Sequence, residues 1–241
     1  MITGSAAIAG FLARVEERIA DTCVSCGRAR DEVTLVAVSK RIPLPLVVAA
    51  CAAGQRDFGE NRIQDAIPRQ TEIEPLLAAA GLPADVVRWH FIGHLQRNKA
   101  SKAVGAFSLL HAVDSLRLVT SLAALAAERQ QPQPWLLEVN LTRESQKHGI
   151  ASESALELLA AAAEQPLLEP AGLMTMARYG ADEAELRKTF AALRRLSETL
   201  RTATGLSLPH LSMGMSNDFP QAIAEGATLI RIGTAIFGPR A

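Results

Sequence analysis

The sequence predicts an α/β fold: a single (β/α)8 barrel of the TIM type over residues 1–241, with an extra N-terminal helix. Short β-branched, apolar segments alternate along the chain with alanine- and leucine-rich segments of helical spacing. This alternation is typical of parallel strands joined by crossover helices. Eight such units can be counted, which is the number that closes a barrel.

The N-terminal helix is predicted over residues 5–28, where apolar side chains recur at helical spacing. The first strand, VTLVAVSK (33–40), is predicted to be buried on both faces. Pro43 and Pro45 then open a helix that runs to Ala53 and is closed by Gly54. The other predicted strands span 56–59, 88–92, 109–113, 135–140, 169–174, 210–213 and 229–232, and the longer helices span 116–128, 153–164 and 183–202.

The alternative fold is an open, doubly wound parallel sheet. Such sheets often carry a G-x-G-x-x-G turn after the first strand, and none follows residue 40. The count of eight units therefore favours the barrel.

Composition limits the function classes. Lys and Arg number 25, as do Asp and Glu, so no overall charge attracts the chain to nucleic acid or anionic lipid. No apolar run approaches the roughly 18 residues of a membrane span, and the N-terminus lacks the pattern of a secretory signal. Three cysteines make a poor disulfide framework. We expect a cytoplasmic protein.

Cys23 and Cys26 form a C-x-x-C pair at the end of the first helix. A zinc site would need two more Cys or His ligands at short spacing, and the sequence offers no second pair. We therefore expect the pair to be inert and the protein to have no metal site.

Polar residues and glycines follow most of the predicted strands, at the end where barrel enzymes carry their sites. Lys40 ends the first strand; such a lysine either reaches past the rim to solvent or acts as an amine that attacks a carbonyl carbon. Ser216, Gly233 and Thr234 follow the last two strands, where barrels frequently bind phosphate. The alternative for Ser216 and Thr234 is that they are ordinary helix N-caps, the first of them before a helix over about 217–225.

Several longer motifs run through nearly the whole chain in order: LVAVSK (35–40), AGQRDFGENRIQDA (53–66), WHFIGHLQRNK (89–99), HAVDS (111–115), EVNLTRESQKHGI (138–150), GLMTM (172–176), LSMGMSNDF (211–219) and RIGTAIFG (231–238). With these motifs the sequence resembles the pyridoxal phosphate homeostasis protein family, which is related to the N-terminal barrel of alanine racemase. The resemblance implies pyridoxal 5'-phosphate (PLP) as the cofactor.

The resemblance also implies a role for each matching residue. Lys40 would form the Schiff base, and Arg231 would face the pyridine nitrogen. Ser216, Gly233 and Thr234 would hold the phosphate, with Ser212 and Met213 nearby, and Asn61 and His90 would surround the ring. His90 has an alternative role as a core histidine with its hydrogen bonds satisfied. Arg178 departs from the pattern of the family, in which many members carry proline or a small residue at the sixth-strand rim.

The resemblance implies a non-catalytic carrier of PLP that acts in vitamin B6 and amino-acid homeostasis. An arginine at the ring nitrogen makes the pyridine a weaker electron sink than a carboxylate would. Racemases of the related type have a second, β-rich domain and a second acid/base tyrosine, whereas this sequence ends at Ala241 and has one tyrosine, Tyr179. The alternatives are a low-activity amino-acid racemase and, without the resemblance, a barrel enzyme that uses Lys40 on a sugar aldehyde. We expect a monomer whose partners are PLP and apo PLP-dependent enzymes.

Overall fold

The computed structural model describes residues 5–142, 144 and 148–238. Eight parallel strands form a closed barrel in chain order, which confirms the predicted fold. The strands are β1 (Thr34–Val38), β2 (Asp57–Glu60), β3 (Arg88–Phe91), β4 (Leu109–Val113), β5 (Gln133–Glu138), β6 (Leu168–Met174), β7 (His210–Met215) and β8 (Leu229–Ile232). The barrel closes where β1 pairs with β8, from Thr34 opposite Leu229 to Ala37 opposite Ile232.

Helices surround the strands, as crossover connections require. They are α1 (Ser5–Ser25), α2 (Leu44–Ala52), α3 (Ile63–Glu72), α4 (Glu74–Ala79), α5 (Ala100–Ala103), α6 (Leu116–Arg129), α7 (Ala155–Ala163), α8 (Glu183–Thr204), α9 (Phe219–Ala224) and α10 (Thr234–Phe237). The predicted N-terminal helix is α1, which packs against α2, α9 and α10. Its buried residues Ile8, Val15 and Ile19 have the helical spacing seen in the sequence.

The core has two parts. Side chains that point outward from the strands join the helices in one large apolar cluster. A smaller cluster, which includes Val36, Leu136, Met174 and Leu229, belongs to five strands of the barrel, β1, β4, β5, β6 and β8. The filled barrel leaves the loops at the C-terminal ends of the strands as the natural place for a site.

Strand β5 (133–138) is shifted by two residues from the predicted segment 135–140: it begins two residues earlier and ends two residues earlier. The prediction began after Pro134 because polar Gln133 and Pro134 are typical of a loop. Gln133 is nevertheless fully buried, because the amide of Gly105 donates to its side-chain oxygen (2.9 Å) and its nitrogen donates to the Phe107 and Pro134 carbonyl oxygens (3.2 and 2.9 Å). A buried polar side chain with its hydrogen bonds satisfied costs little.

The cysteine pair lies at the end of α1, as predicted. Cys23 is buried, Cys26 is partly buried, and the Cys26 thiol donates to the Thr22 carbonyl oxygen (3.0 Å). Burial raises the pKa of Cys23, and raises that of the buried Cys51 to about 11. Thiols of this kind stay protonated at neutral pH and are poor nucleophiles. Among the helices described, none combines the length and the apolarity needed to cross a membrane.

Candidate functional site at the C-terminal rim of the barrel

A cavity of about 710 Å³ opens at the C-terminal ends of the strands. Six of the nine predicted site residues line it: Lys40, Asn61, Ser216, Arg231, Gly233 and Thr234. The remaining three, His90, Ser212 and Met213, are buried and do not line it. The sequence therefore identified part of the polar wall of this cavity, and the three other predicted residues are buried away from it.

Lys40 lies on a tight turn two residues after β1. The Ile42 amide donates to the Ser39 carbonyl oxygen (2.9 Å), which closes the turn, and Arg41 takes a left-handed backbone conformation (φ 61°). Lys40 is partly exposed and lines the cavity. The turn thus ends the apolar strand and presents the amine to the cavity.

A buried ion pair fixes this turn from below. The Ser39 hydroxyl donates to Glu60 (2.8 Å), and Arg69 lies 3.2 Å from the same carboxylate. Arg69 also donates to the Ile42 carbonyl oxygen (2.8 Å). Burial raises the pKa of Glu60, although the Ser39 hydrogen bond and the Arg69 charge oppose the effect. Sequence reasoning did not find Arg69, because its reach across from α3 to Glu60 depends on the closed fold.

Two hydroxyl groups meet in the wall of the same cavity. Thr234 Oγ1 donates to Ser216 Oγ at 3.2 Å, although the residues come from different strand–helix loops. Neither hydroxyl caps a helix, because the N-cap residues of α9 and α10 are Asp218 and Gly233. The helix-cap alternative is therefore wrong, and the predicted helix start near residue 217 moves to Phe219.

Glycines permit the close approaches that shape the cavity wall. Gly214 has φ +93°, and a Cβ there would lie 2.6 Å from the Cβ of Ala222. Gly93 lies against Asn61, where an added Cβ would come within 2.3 Å of the Asn61 carbonyl oxygen. Both positions exclude larger residues. They hold the loops that carry Ser216 and Asn61 close to the barrel.

Arg231 lies in the cavity floor and is only 5% exposed. Its Nη1 donates to Ser212 Oγ, and its Nη2 donates to the Thr175 carbonyl oxygen (3.1 Å). Burial lowers the pKa of Arg231 to about 10, while the negative charges of Asp218 and Glu138 oppose this shift. The guanidinium therefore stays protonated near neutral pH and can only donate hydrogen bonds to a ligand.

A chain of buried hydrogen bonds continues from Ser212 through the barrel. Ser212 Oγ lies 2.8 Å from His111 Nδ1, His111 Nε2 lies 2.9 Å from His90 Nδ1, and His90 Nε2 lies 3.0 Å from Asp57 Oδ1. Burial lowers the pKa of His111 well below its usual value, so this ring is neutral. Both ring nitrogens of His90 thus have hydrogen-bond partners inside the barrel, as expected for a core histidine. The side chain lies beneath the cavity and does not line it.

Glu138 is the main cavity residue that sequence reasoning missed. It is 2% exposed, lines the cavity, and has one carboxylate oxygen (Oε2) without a hydrogen-bond partner among the residues described. Burial, together with the negative charge of Asp114, raises its pKa to about 7. The prediction took Asn140 as the polar strand end. A charged residue inside the apolar segment WLLEV was the available signal.

The loop after β6 forms another part of the wall. Arg178 and Tyr179 line the cavity, and Arg178 pairs with Glu185 in the first turn of α8. The Tyr179 side chain is 89% exposed. Arg178 is thus held at the mouth of the cavity, and the tyrosine lies mostly in solvent.

Comparison with known proteins identifies the family. The family model described as "Alanine racemase, N-terminal domain" matches residues 24–241. The pyridoxal phosphate homeostasis protein of Escherichia coli (strain K12) is 39% identical over 238 residues, or 97% of each chain. The protein of that name from Aquifex aeolicus is 36% identical over 229 residues, or 95% of this chain and 96% of the relative. This chain belongs to the pyridoxal phosphate homeostasis protein family.

Solved structures agree with this family assignment. This chain is similar to PipY of Synechococcus elongatus, whose structure was solved with PLP bound. The TM-score is 0.83 and the identity 38%, over 96% of this chain and all of PipY. Alanine racemase of Corynebacterium glutamicum matches with a TM-score of 0.70 at 18% identity, over 98% of this chain and 61% of the racemase. The second likeness concerns the fold alone.

Proposed function

We propose that this chain binds PLP as a Schiff base on Lys40 and serves as a non-catalytic carrier in intracellular vitamin B6 and amino-acid homeostasis. One observation carries the proposal: a single cavity combines the Lys40 amine, the adjoining hydroxyls of Ser216 and Thr234, and the buried guanidinium of Arg231. PLP supplies an aldehyde, a phosphate and a ring nitrogen. A molecule of the size of PLP suits a cavity of about 710 Å³.

Each side chain then has a defined task. The turn held by Glu60 and Arg69 presents the Lys40 amine as the nucleophile. The hydroxyls of Ser216 and Thr234, with the backbone at Gly233, donate to the phosphate oxygens. Arg231 donates to the ring nitrogen, and Ser212 holds its guanidinium in place.

Asn61 forms the wall beside the ring, and Gly93 keeps it there. Met213 and His90 fill the barrel beneath the floor. These two residues therefore support the site through packing and hydrogen bonds rather than through direct contact with the cofactor.

The charge of Arg231 argues against demanding carbanion chemistry such as transamination, and the exposure of Tyr179 argues against two-base racemisation. A permanently protonated guanidinium can only donate to the ring nitrogen, so the pyridine stays a poor electron sink. Tyr179 is too exposed to act as a shielded acid. The expected partners are PLP and apo PLP-dependent enzymes, and the carrier is expected to be a monomer.

A low-activity amino-acid racemase is the second candidate, and Glu138 favours it. A buried carboxyl group with a pKa of about 7 can exchange a proton at neutral pH. Two-base racemisation needs a second group that gives and takes a proton, in addition to the lysine. Glu138 is therefore the residue to mutate if any proton exchange is found.

The experiment compares catalysis with transfer. PLP-loaded protein is incubated in deuterated water with L-alanine, L-serine or L-valine, and we expect α-proton exchange close to that with free PLP. The same protein should load an apo PLP-enzyme faster than the Lys40→Ala variant does, with exposed Lys188→Ala on α8 as the control. Steady racemisation that is lost in Lys40→Ala and Glu138→Gln would replace the carrier proposal with the second candidate.

A further inference from the structure

Two histidines and an aspartate converge at the mouth of the cavity. The side chains of His94, Asp114 and His148 place one nitrogen or oxygen atom each within 4.8 Å of one another. His94 Nδ1 lies 3.2 Å from Asp114 Oδ2, and the rings of His94 and His148 stack with their centroids 3.9 Å apart. We propose that these three side chains bind a divalent transition-metal ion of the Zn²⁺ class.

The backbone brings the three residues together from successive strands. Asp114 directly follows β4, and His94 lies three residues after β3. His148 lies in the loop after β5, and this loop returns to the strand. The Asn140 amide donates to the backbone carbonyl oxygen of Ile150 (2.8 Å), and the Ile150 amide donates to the backbone carbonyl oxygen of Glu138 (2.9 Å). All three therefore lie at the C-terminal rim of the barrel.

Glycines anchor both histidines. Gly93, which precedes His94, lies against the Asn61 backbone, as described above. Gly149, which follows His148, has φ +106°, and a Cβ there would come within 2.9 Å of the Asn140 nitrogen. The backbone beside each ring therefore packs closely against a neighbouring segment, which leaves no room there for a larger residue.

The ligand set suits a borderline-soft metal ion. Imidazole nitrogen and carboxylate oxygen bind Zn²⁺ at about 2.0–2.2 Å, so two ligands of a tetrahedral ion lie about 3.4 Å apart. The separation of 3.2 Å between His94 Nδ1 and Asp114 Oδ2 is close to this value. The exposed His148 side chain needs only to rotate out of the ring stack to complete the set.

Three protein ligands leave at least one coordination position open. Three-ligand zinc sites of this kind bind water or a small molecule at the remaining position. His94 and His148 also line the 710 Å³ cavity that contains Lys40, so the open position would face that cavity. The expected additional ligand is an oxygen atom of water or of a small anion.

No sequence motif marks this site, because the three residues lie 20 and 34 positions apart. The expectation of no metal site came from the C-x-x-C pair alone. The proposal does not rest on PLP binding, because its test uses protein from which PLP and metals have been removed.

Metal-free protein is titrated with Zn²⁺ by calorimetry and with Co²⁺ by visible absorption spectroscopy. We expect one Zn²⁺ per chain with a dissociation constant on the order of 1 µM or lower. His94→Gln, Asp114→Asn and His148→Gln should each weaken binding by roughly tenfold or more, and the double histidine variant should abolish it. The bound Co²⁺ should show the spectrum of nitrogen and oxygen ligands without a thiolate charge-transfer band.

Two control variants separate this site from other binding. Asp65→Asn removes an exposed carboxylate from α3 at the same rim, and Cys26→Ser removes the thiol pair. Both should keep the wild-type affinity, and circular dichroism should show every variant folded. Equal Zn²⁺ affinity in the wild type and the double histidine variant, or loss of binding only in Cys26→Ser, would overturn the proposal.

Discussion

Arg231 donates a hydrogen bond to Ser212 inside the barrel, at one end of a buried chain of polar groups. Because Arg231 can only donate, the Ser212 hydroxyl accepts from it, which leaves its own hydrogen available for His111 Nδ1 (2.8 Å). His111 then donates from Nε2 to His90 Nδ1 (2.9 Å), and His90 donates from Nε2 to Asp57 (3.0 Å). One direction of donation satisfies the whole chain.

Removal of the Ser212 hydroxyl should destabilise the protein. Ser212→Ala leaves a buried guanidinium N–H and a buried imidazole nitrogen without partners, which should lower the free energy of unfolding by about 2–3 kcal/mol. Urea denaturation measures the effect. The matched control is Ser197→Ala, because Ser197 is equally buried and its hydroxyl has no partner among the residues described. A similar, small change in both variants would contradict the role of Ser212.

The pKa of Glu138 predicts a pH-dependent stability. Its pKa is about 7 in the folded protein against an ordinary value of 4.5, so the folded state keeps a proton that the unfolded state releases. The free energy of unfolding should therefore fall as pH rises from about 5 to about 8. At about 1.4 kcal/mol per tenfold change in proton affinity, the loss attributable to Glu138 is on the order of 3 kcal/mol.

Glu138→Gln should remove this part of the pH dependence. The variant is expected to be more stable than the wild type at pH 8 and similar to it at pH 5, as measured by thermal unfolding with EDTA and without PLP. Glu169→Gln, an exposed position on β6, should follow the wild-type curve. A variant curve parallel to that of the wild type across pH 5–8 would show that Glu138 is ionised throughout.

The sequence was sufficient for the barrel because local patterns determine it. The β4 and β8 segments (109–113 and 229–232) have the predicted bounds, since both are mostly apolar runs bounded by polar residues or glycine. The prediction failed at β5, where buried Gln133 is satisfied by backbone groups of a neighbouring loop. No local pattern contains that information.

The site residues, like the strands, could be predicted only where a local pattern identified them. Lys40, Ser216 and Thr234 lie one or two residues after the C-terminal ends of strands, and such positions meet at one rim of a barrel. His90 and Ser212 lie within strands, and whether such a residue faces the cavity or the barrel interior depends on the register of the closed sheet. Glu138 was missed for that reason.

The paired hydroxyls should act on the phosphate. Ser216→Ala combined with Thr234→Val should weaken PLP binding much more than binding of unphosphorylated pyridoxal. Each hydrogen bond to the charged phosphate should contribute about 1.5–3 kcal/mol. Equilibrium dialysis of both ligands gives the comparison, with exposed Ser101→Ala on α5 as the control. Equal losses for PLP and pyridoxal would show that the hydroxyl pair does not bind phosphate.

The most direct test of the central proposal is to locate the covalent link to PLP. Purified protein is incubated with PLP, its absorbance is recorded for the yellow colour of the Schiff base, and borohydride reduction is followed by peptide mapping. We expect the colour in the wild type and in Lys188→Ala but not in Lys40→Ala, and the pyridoxyl group on the peptide that contains Lys40. A pyridoxyl group found mainly on another lysine, or a colourless wild-type protein, would contradict the proposal.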